Sequence, residues 1–156
     1  MTFGPGPMTS AALNAAVGAV WTSYTPTWTG ATTNPVYGNA ALTAAYTKIG
    51  KTVFLRMYLT MGSTTTFGSG SWSWSLPEVA AAVPGFTGKP IWSSIAAGND
   101  TGTAVITGLL KVDSGASAFY IGAIGNNGSP WNATFPHTWA NTDEIFVNFA
   151  YEAATF

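Results

Sequence analysis

The chain has 156 residues, 47% of them hydrophobic, which is enough for one domain with a sizeable core and short for two. Charged residues make up 7%, against about 25% in an ordinary soluble domain, and the formal net charge is -1. Five basic side chains (Lys48, Lys51, Arg56, Lys89 and Lys111) are too few to neutralise a run of phosphates, which argues against nucleic acid as a partner, and the absence of cysteine excludes disulfides, thiolate catalysis and cysteine-held metal centres.

Residues 1–7 (MTFGPGP) read as an extended arm punctuated by Gly and Pro. An Ala-rich stretch follows, in which Thr9 or Ser10 can cap a short helix with Leu13, Val17 and Val20 on one stripe. A helix of that length is marginal without packing, so its stripe is expected to lie against a neighbour. Residues 1–20 are therefore read as an attachment arm, with Phe3, Pro5, Pro7, Leu13, Val17 and Val20 as its contact residues, and residues 21–156 as the folded domain. No run is long and apolar enough for a transmembrane helix, and the first Lys or Arg is Lys48, so neither a membrane partner nor an ordinary export signal is expected.

From Trp21 onward the pattern is β. Trp21, Tyr24 and Trp28 stand in an extended Thr/Pro-rich stretch where Pro26 favours a sheet edge. Residues 42–48 predict a strand, closed by the tight link Ile49-Gly50. The strand predicted over 51–61 alternates cleanly: Val53, Leu55, Met57, Leu59 and Met61 share a core-like face, and Phe54, Arg56 and Tyr58 share an aromatic, amphipathic one suited to a subunit interface. After the polar loop 62–70, Trp72, Trp74 and Leu76 alternate with serines until Pro77 ends the strand. A helical turn is expected over 78–82, then strands over 91–97, 103–112 and 118–124, with turns at Gly98-Asn99-Asp100 and Asp113-Ser114-Gly115. A loop over 125–143 precedes the last strand, 144–153, in which Ile145, Val147, Phe149 and Tyr151 share a face. About eight strands with frequent turns predict an all-β fold, an antiparallel β-sandwich of jelly-roll type with a short N-terminal arm or helix.

Little catalytic chemistry stands out. His137 is the one histidine, and no nucleophile-elbow pattern surrounds any serine. The six acids are scattered: a pair such as Glu78 with Asp113, or a calcium set drawn from Asn99, Asp100, Asp113 and Asp143, lacks supporting spacing. Asp143, one step before the last strand, reads as an acceptor of backbone hydrogen bonds that holds the preceding loop. No metal or cofactor is expected, and the chain is expected not to be an enzyme. Trp131, His137 and Trp139 lie in an Asn/Gly-rich loop and are the candidate contacts for a sugar ring, but the pattern favours packing of the loop on its own aromatics or on a neighbouring subunit. A surface this poor in charge points to self-association.

Several pieces resemble a domain of minor structural proteins in tailed phages that infect actinobacteria: Tyr24-Thr25-Pro26-Thr27-Trp28, Thr33-Asn34-Pro35, Tyr46 followed by Ile49-Gly50-Lys51, Gly68-Ser69-Gly70 leading to Ser75-Leu76-Pro77, and Thr138-Trp139-Ala140-Asn141-Thr142-Asp143. The resemblance covers most of the chain from Trp21 onward. It implies a β-sandwich, often trimeric, on the surface of a virion, in a tail, fibre or head-associated role, with no catalytic residues. Because no shaft, collagen-like repeat or heptad run precedes the domain, the leading expectation is a homotrimeric capsid decoration protein, made in the host cytoplasm and docked on the major capsid protein through its arm. The alternative is a minor tail or fibre protein that binds host-surface glycan through residues 126–143.

Overall fold

A computed structural model describes Thr9, residues 20–124 and residues 128–155, with the backbone only for 91–93. The helix expected over the N-terminal stretch lies outside the described residues, which contain no helix. Nine strands form one antiparallel sheet: β1 (Thr22–Ser23), β2 (Trp28–Gly30), β3 (Ala41–Ile49), β4 (Thr52–Thr60), β5 (Trp72–Ser75), β6 (Pro90–Asp100), β7 (Ala104–Asp113), β8 (Ala118–Ala123) and β9 (Glu144–Glu152). The order across the sheet is β1-β3-β4-β9-β6-β7-β8-β5-β2. The expected all-β antiparallel class is present, but as a single sheet curled into a half-barrel rather than as two stacked sheets.

The curl is visible in contacts between strands that are not neighbours. Phe119 on β8 and Phe149 on β9 lie 5.3 Å apart edge to face, although β7 and β6 separate their strands. The two outermost strands, β1 and β2, are consecutive in the chain. Tyr24 N–H still donates to Ala44 of β3 (3.1 Å), and Thr27 already exchanges bonds with Ser75 of β5: its N–H donates to Ser75 Oγ (2.8 Å) and its carbonyl accepts from Ser75 N–H (3.0 Å). Only Thr25 and Pro26 cross between the sheet's two edges, and three Cα steps span at most about 11 Å. At the crossing no ladder partner exists for a backbone N–H, and the buried Pro26 has none to leave unpaired. Its carbonyl accepts from Tyr37 OH at 2.9 Å.

Alternation decides what fills the interior. Val53, Leu55, Met57, Leu59 and Met61 are buried, as are Trp72, Trp74 and Leu76, and Ile145, Val147, Phe149 and Tyr151, in agreement with the faces read from sequence. Trp28, Trp72, Trp139 and Trp131 form a chain of ring contacts across the core, with centroids 4.8, 5.7 and 5.3 Å apart. Trp131 and Trp139 come from the loop before β9, and glycines on β6 and β7 make room for them. A Cβ on Gly98 would lie 3.0 Å from Trp139, and one on Gly108 would lie 2.6 Å from Trp131. Gly98 is therefore a packing position inside β6, not the turn expected there. The turn falls at 101–103, where Gly102 takes a positive φ of 85°. The helical turn expected over 78–82 is also absent: Ala80 bridges to Ala153, and Ala81 N–H donates to Glu152 (2.7 Å), so this segment extends the sheet's hydrogen bonding.

Burial raises the hydroxyl pKa values of Tyr24, Tyr37 and Tyr151 well above the ordinary value near 10. A raised pKa in the folded state contributes stability that is fully present below the unfolded value and is lost as pH rises past it. Stability should therefore hold to about pH 10 and fall above it. Tyr24 OH is buried without a partner among the described residues. Tyr24→Phe should keep neutral-pH stability within about 1 kcal/mol and lose less than wild type between about pH 9 and pH 11, as read from urea midpoints at each pH.

Candidate functional site

The outer face of β4 carries the residues expected at a subunit interface. Phe54, Arg56 and Tyr58 alternate with the buried aliphatics and point away from the core. Register extends this face onto β9, where Tyr58 lies opposite Phe146, Arg56 opposite Asn148 and Phe54 opposite Ala150. The Tyr58 and Phe146 rings are 4.9 Å apart. Phe54, Tyr58 and Phe146 remain 39%, 38% and 42% exposed, and Ile95 on β6 is 65% exposed. The Arg56 guanidinium covers the Trp21 ring at 4.1 Å, which holds the residues before β1 against the same face. Phe146 and Ile95 were not singled out from sequence. The signal was present in β9, where Phe146 alternates with the buried Ile145 and Val147, an aromatic on the wrong side for a core.

The polar end of this face is organised around Glu144. Asn99 Nδ2 donates to it at 2.9 Å and Tyr58 OH donates to its other oxygen, and these two bonds hold its carboxyl below the usual range. It stays ionised and keeps the Tyr58 ring oriented.

The residues expected to touch a sugar stand elsewhere. Trp131 is fully buried and Trp139 is 3% exposed, both within the core cluster, so neither offers a ring face to solvent. His137 packs against Trp139 with centroids 4.2 Å apart and the rings tilted by 42°, and its Nε2 meets Asp143 Oδ2 at 3.1 Å. The loop is pinned by its own aromatics, one of the two packing arrangements that the sequence favours. Asp143 does what its position before β9 implies: Oδ2 accepts from Ala140 N–H (2.8 Å) and Oδ1 from Thr101 N–H (3.2 Å), tying the loop to the β6–β7 turn. Ligating atoms of Asp100, His137 and Asp143 lie within 4.8 Å of one another. Both Asp143 oxygens are already engaged by backbone donors, so the group acts as a clasp.

The remaining acids have separate partners. Glu78 pairs with Lys48 at 2.5 Å, and Asp113 accepts from Tyr120 OH at 3.3 Å, so the facing carboxylates that glycoside hydrolysis requires are not assembled from them. Of the expected attachment residues, Val20 is 74% exposed. Phe3, Pro5, Pro7, Leu13 and Val17 lie outside the described residues.

Comparison with known proteins gives one informative similarity. Over 119 residues, 76% of this chain, the sequence is 30% identical to the Mu-like prophage FluMu defective tail fiber protein of Haemophilus influenzae. The chain spans 18% of that relative's length. No protein-family model matches the chain, and no solved structure matches it. The similarity supports relation to a phage tail protein; it gives no support to an actinobacterial host.

Asp143→Ala would leave the Ala140 and Thr101 N–H groups without their acceptor. It should cost about 1–3 kcal/mol in urea denaturation and release the loop, seen as faster amide exchange at Ala140 and Thr101. Asp143→Asn, which keeps an acceptor oxygen, should cost less.

Proposed function

We propose that the chain is a non-enzymatic structural domain of a phage tail, of tail-fibre type, standing on the virion surface. The observation that carries this reading is the 30% identity over three-quarters of the chain to a prophage tail fiber protein. It reverses the order expected from sequence, in which capsid decoration led and the tail was second. That preference rested on the missing shaft, and most of the relative lies outside the matched stretch, so a shaft need not be sought within these residues. Residues 1–20 are proposed to serve as the attachment arm to the neighbouring tail component.

Self-association is proposed to run through the outer face of β4, β9 and β6. Phe54, Tyr58, Phe146 and Ile95 form an apolar surface that the fold does not need for its own core. A net charge of -1 provides little repulsion between copies. Closed cyclic symmetry with three copies fits the resemblance read from the sequence.

Two measurements test these readings. Gold-labelled antibody raised against the chain should mark the tails of particles that carry it; label on the heads would remove the tail reading. Light scattering of the purified protein should give a trimer mass, and Phe54→Asp combined with Phe146→Asp should give a folded monomer by circular dichroism and mass. A wild-type monomer at micromolar concentration would overturn the self-association.

A further inference from the structure

A cleft of about 500 Å³ lies on the outer surface where β2, β5, β8 and β7 meet the segment 128–130. Each strand contributes a residue that alternates with buried core. Thr29 follows Trp28, Ser71 and Ser73 flank Trp72, Lys111 lies between Leu110 and Val112, and Tyr120 lies between Phe119 and Ile121. The cleft exists because β8 changes partner along one edge. Phe119 and Ala118 pair with β5, whereas farther along the strand Gly122 bridges to Pro130 and Ile121 accepts from Trp131 N–H at 2.7 Å. Trp72 N–H donates to the Trp131 carbonyl at 2.9 Å and fixes the junction between the two partners.

Lys111 is the chemically unusual member. It is half-buried, its ammonium stands 5.2 Å from the Tyr120 ring centroid, and no carboxylate of the described residues lies within ion-pair distance of it. Asp113, two residues along the same strand, is engaged by Tyr120 OH instead. The ammonium lies beside Gly128, where a Cβ would stand 2.8 Å from Nζ, and the glycine itself is required by a positive φ of 67°. A partly desolvated cation without a counter-ion favours an anion arriving from outside. Beside it, Thr29 Oγ1 and Ser73 Oγ share a hydrogen at 2.7 Å and Ser71 is exposed, which offers hydroxyl donors and acceptors in a row. The volume lies in the range of pockets for small organic ligands and far exceeds what a lone inorganic anion fills.

We propose that this cleft binds an acidic sugar unit, with Lys111 pairing its carboxylate and Thr29, Ser71 and Ser73 bonding its ring hydroxyls. The host envelope as the source of that sugar rests on the tail reading above; the binding itself does not. Thr29, Ser73 and Lys111 stand on strands, so little ordering cost accompanies their part of the binding.

The test is a titration of the intact chain, followed by heteronuclear NMR, with glucuronate, galacturonate, N-acetylneuraminate, glucose and inorganic phosphate. At least one acidic sugar should shift Ser73, Lys111 and Tyr120 saturably, and glucose should bind at least about tenfold more weakly. Lys111→Met should weaken the acidic sugar at least about tenfold, and Ser71→Ala, at an exposed position that the sheet does not depend on, should weaken it measurably with an unchanged spectrum elsewhere. No shift from any acidic sugar, equal binding of glucose, phosphate binding as tightly as the sugar, or binding undiminished in both variants would each overturn the proposal. Because particle labelling tests the tail reading separately, a silent titration with label on the tail removes this site alone.

Discussion

The rest of the structure depends on the crossing at Thr25 and Pro26. It makes the first two strands the opposite ends of one sheet, so the sheet has to curl until its edges are about two strand spacings apart. Nine strands curled into a half-barrel leave an interior to be filled between their inward faces. Aliphatic side chains pointing in from the strands would leave the centre short of atoms. Much of that interior is filled by indoles: Trp28, Trp72 and Trp74 from β2 and β5, and Trp131 and Trp139 from the loop that folds inward before β9. Contacts among such rings contribute roughly 0.5–1.5 kcal/mol each beyond area burial. The same rings therefore fill the interior and hold the curl.

Closure also explains how a chain with 7% charged residues manages its strand edges. An open sheet usually protects its edges with lysines, inward-pointing charges or bulges. This chain has few charges to place, and it brings the two edges together across a buried proline whose carbonyl is capped by Tyr37. With its edges managed in this way, the apolar residues left outside on β4, β9 and β6 serve contact face to face instead of edge to edge.

Local pattern in the sequence reached some of this and stopped at identifiable places. The faces of β4, β5 and β9 were legible because period-two alternation is a local property, and the buried and exposed sets follow it residue by residue. Whether inward faces belong to two sheets or to one curled sheet was not legible, since alternation is identical in both and only the pairing order differs. Gly98 illustrates the ambiguity at one residue: a glycine beside Asn and Asp reads as a turn, yet its reason is the Trp139 and Trp131 rings, which arrive from the loop before β9. Trp131 and Trp139 left two readings open, a sugar contact or a loop packed on its own aromatics, and only the glycines that receive the rings show them inside the core. Asp143 was legible because its role is local, an acceptor one step before a strand.

The two outer surfaces with functional potential sit on different strands, and this separation has a physical consequence. The aromatic face belongs to β4, β9 and β6 in the middle of the sheet order, and the Lys111 cleft to β7, β8, β5 and β2, which follow it to one edge. The two sets share no residue, so contact through the first does not use the side chains of the second. Both are built from residues that alternate with buried core, so their backbone positions are set by Leu55, Met57 and Val147 on one side and by Trp72, Leu110 and Phe119 on the other. Side chains such as Phe54 and Ser71 contribute nothing to that core. They can be exchanged without disturbing the curl, and the surface of the domain is free to vary while its closure stays fixed.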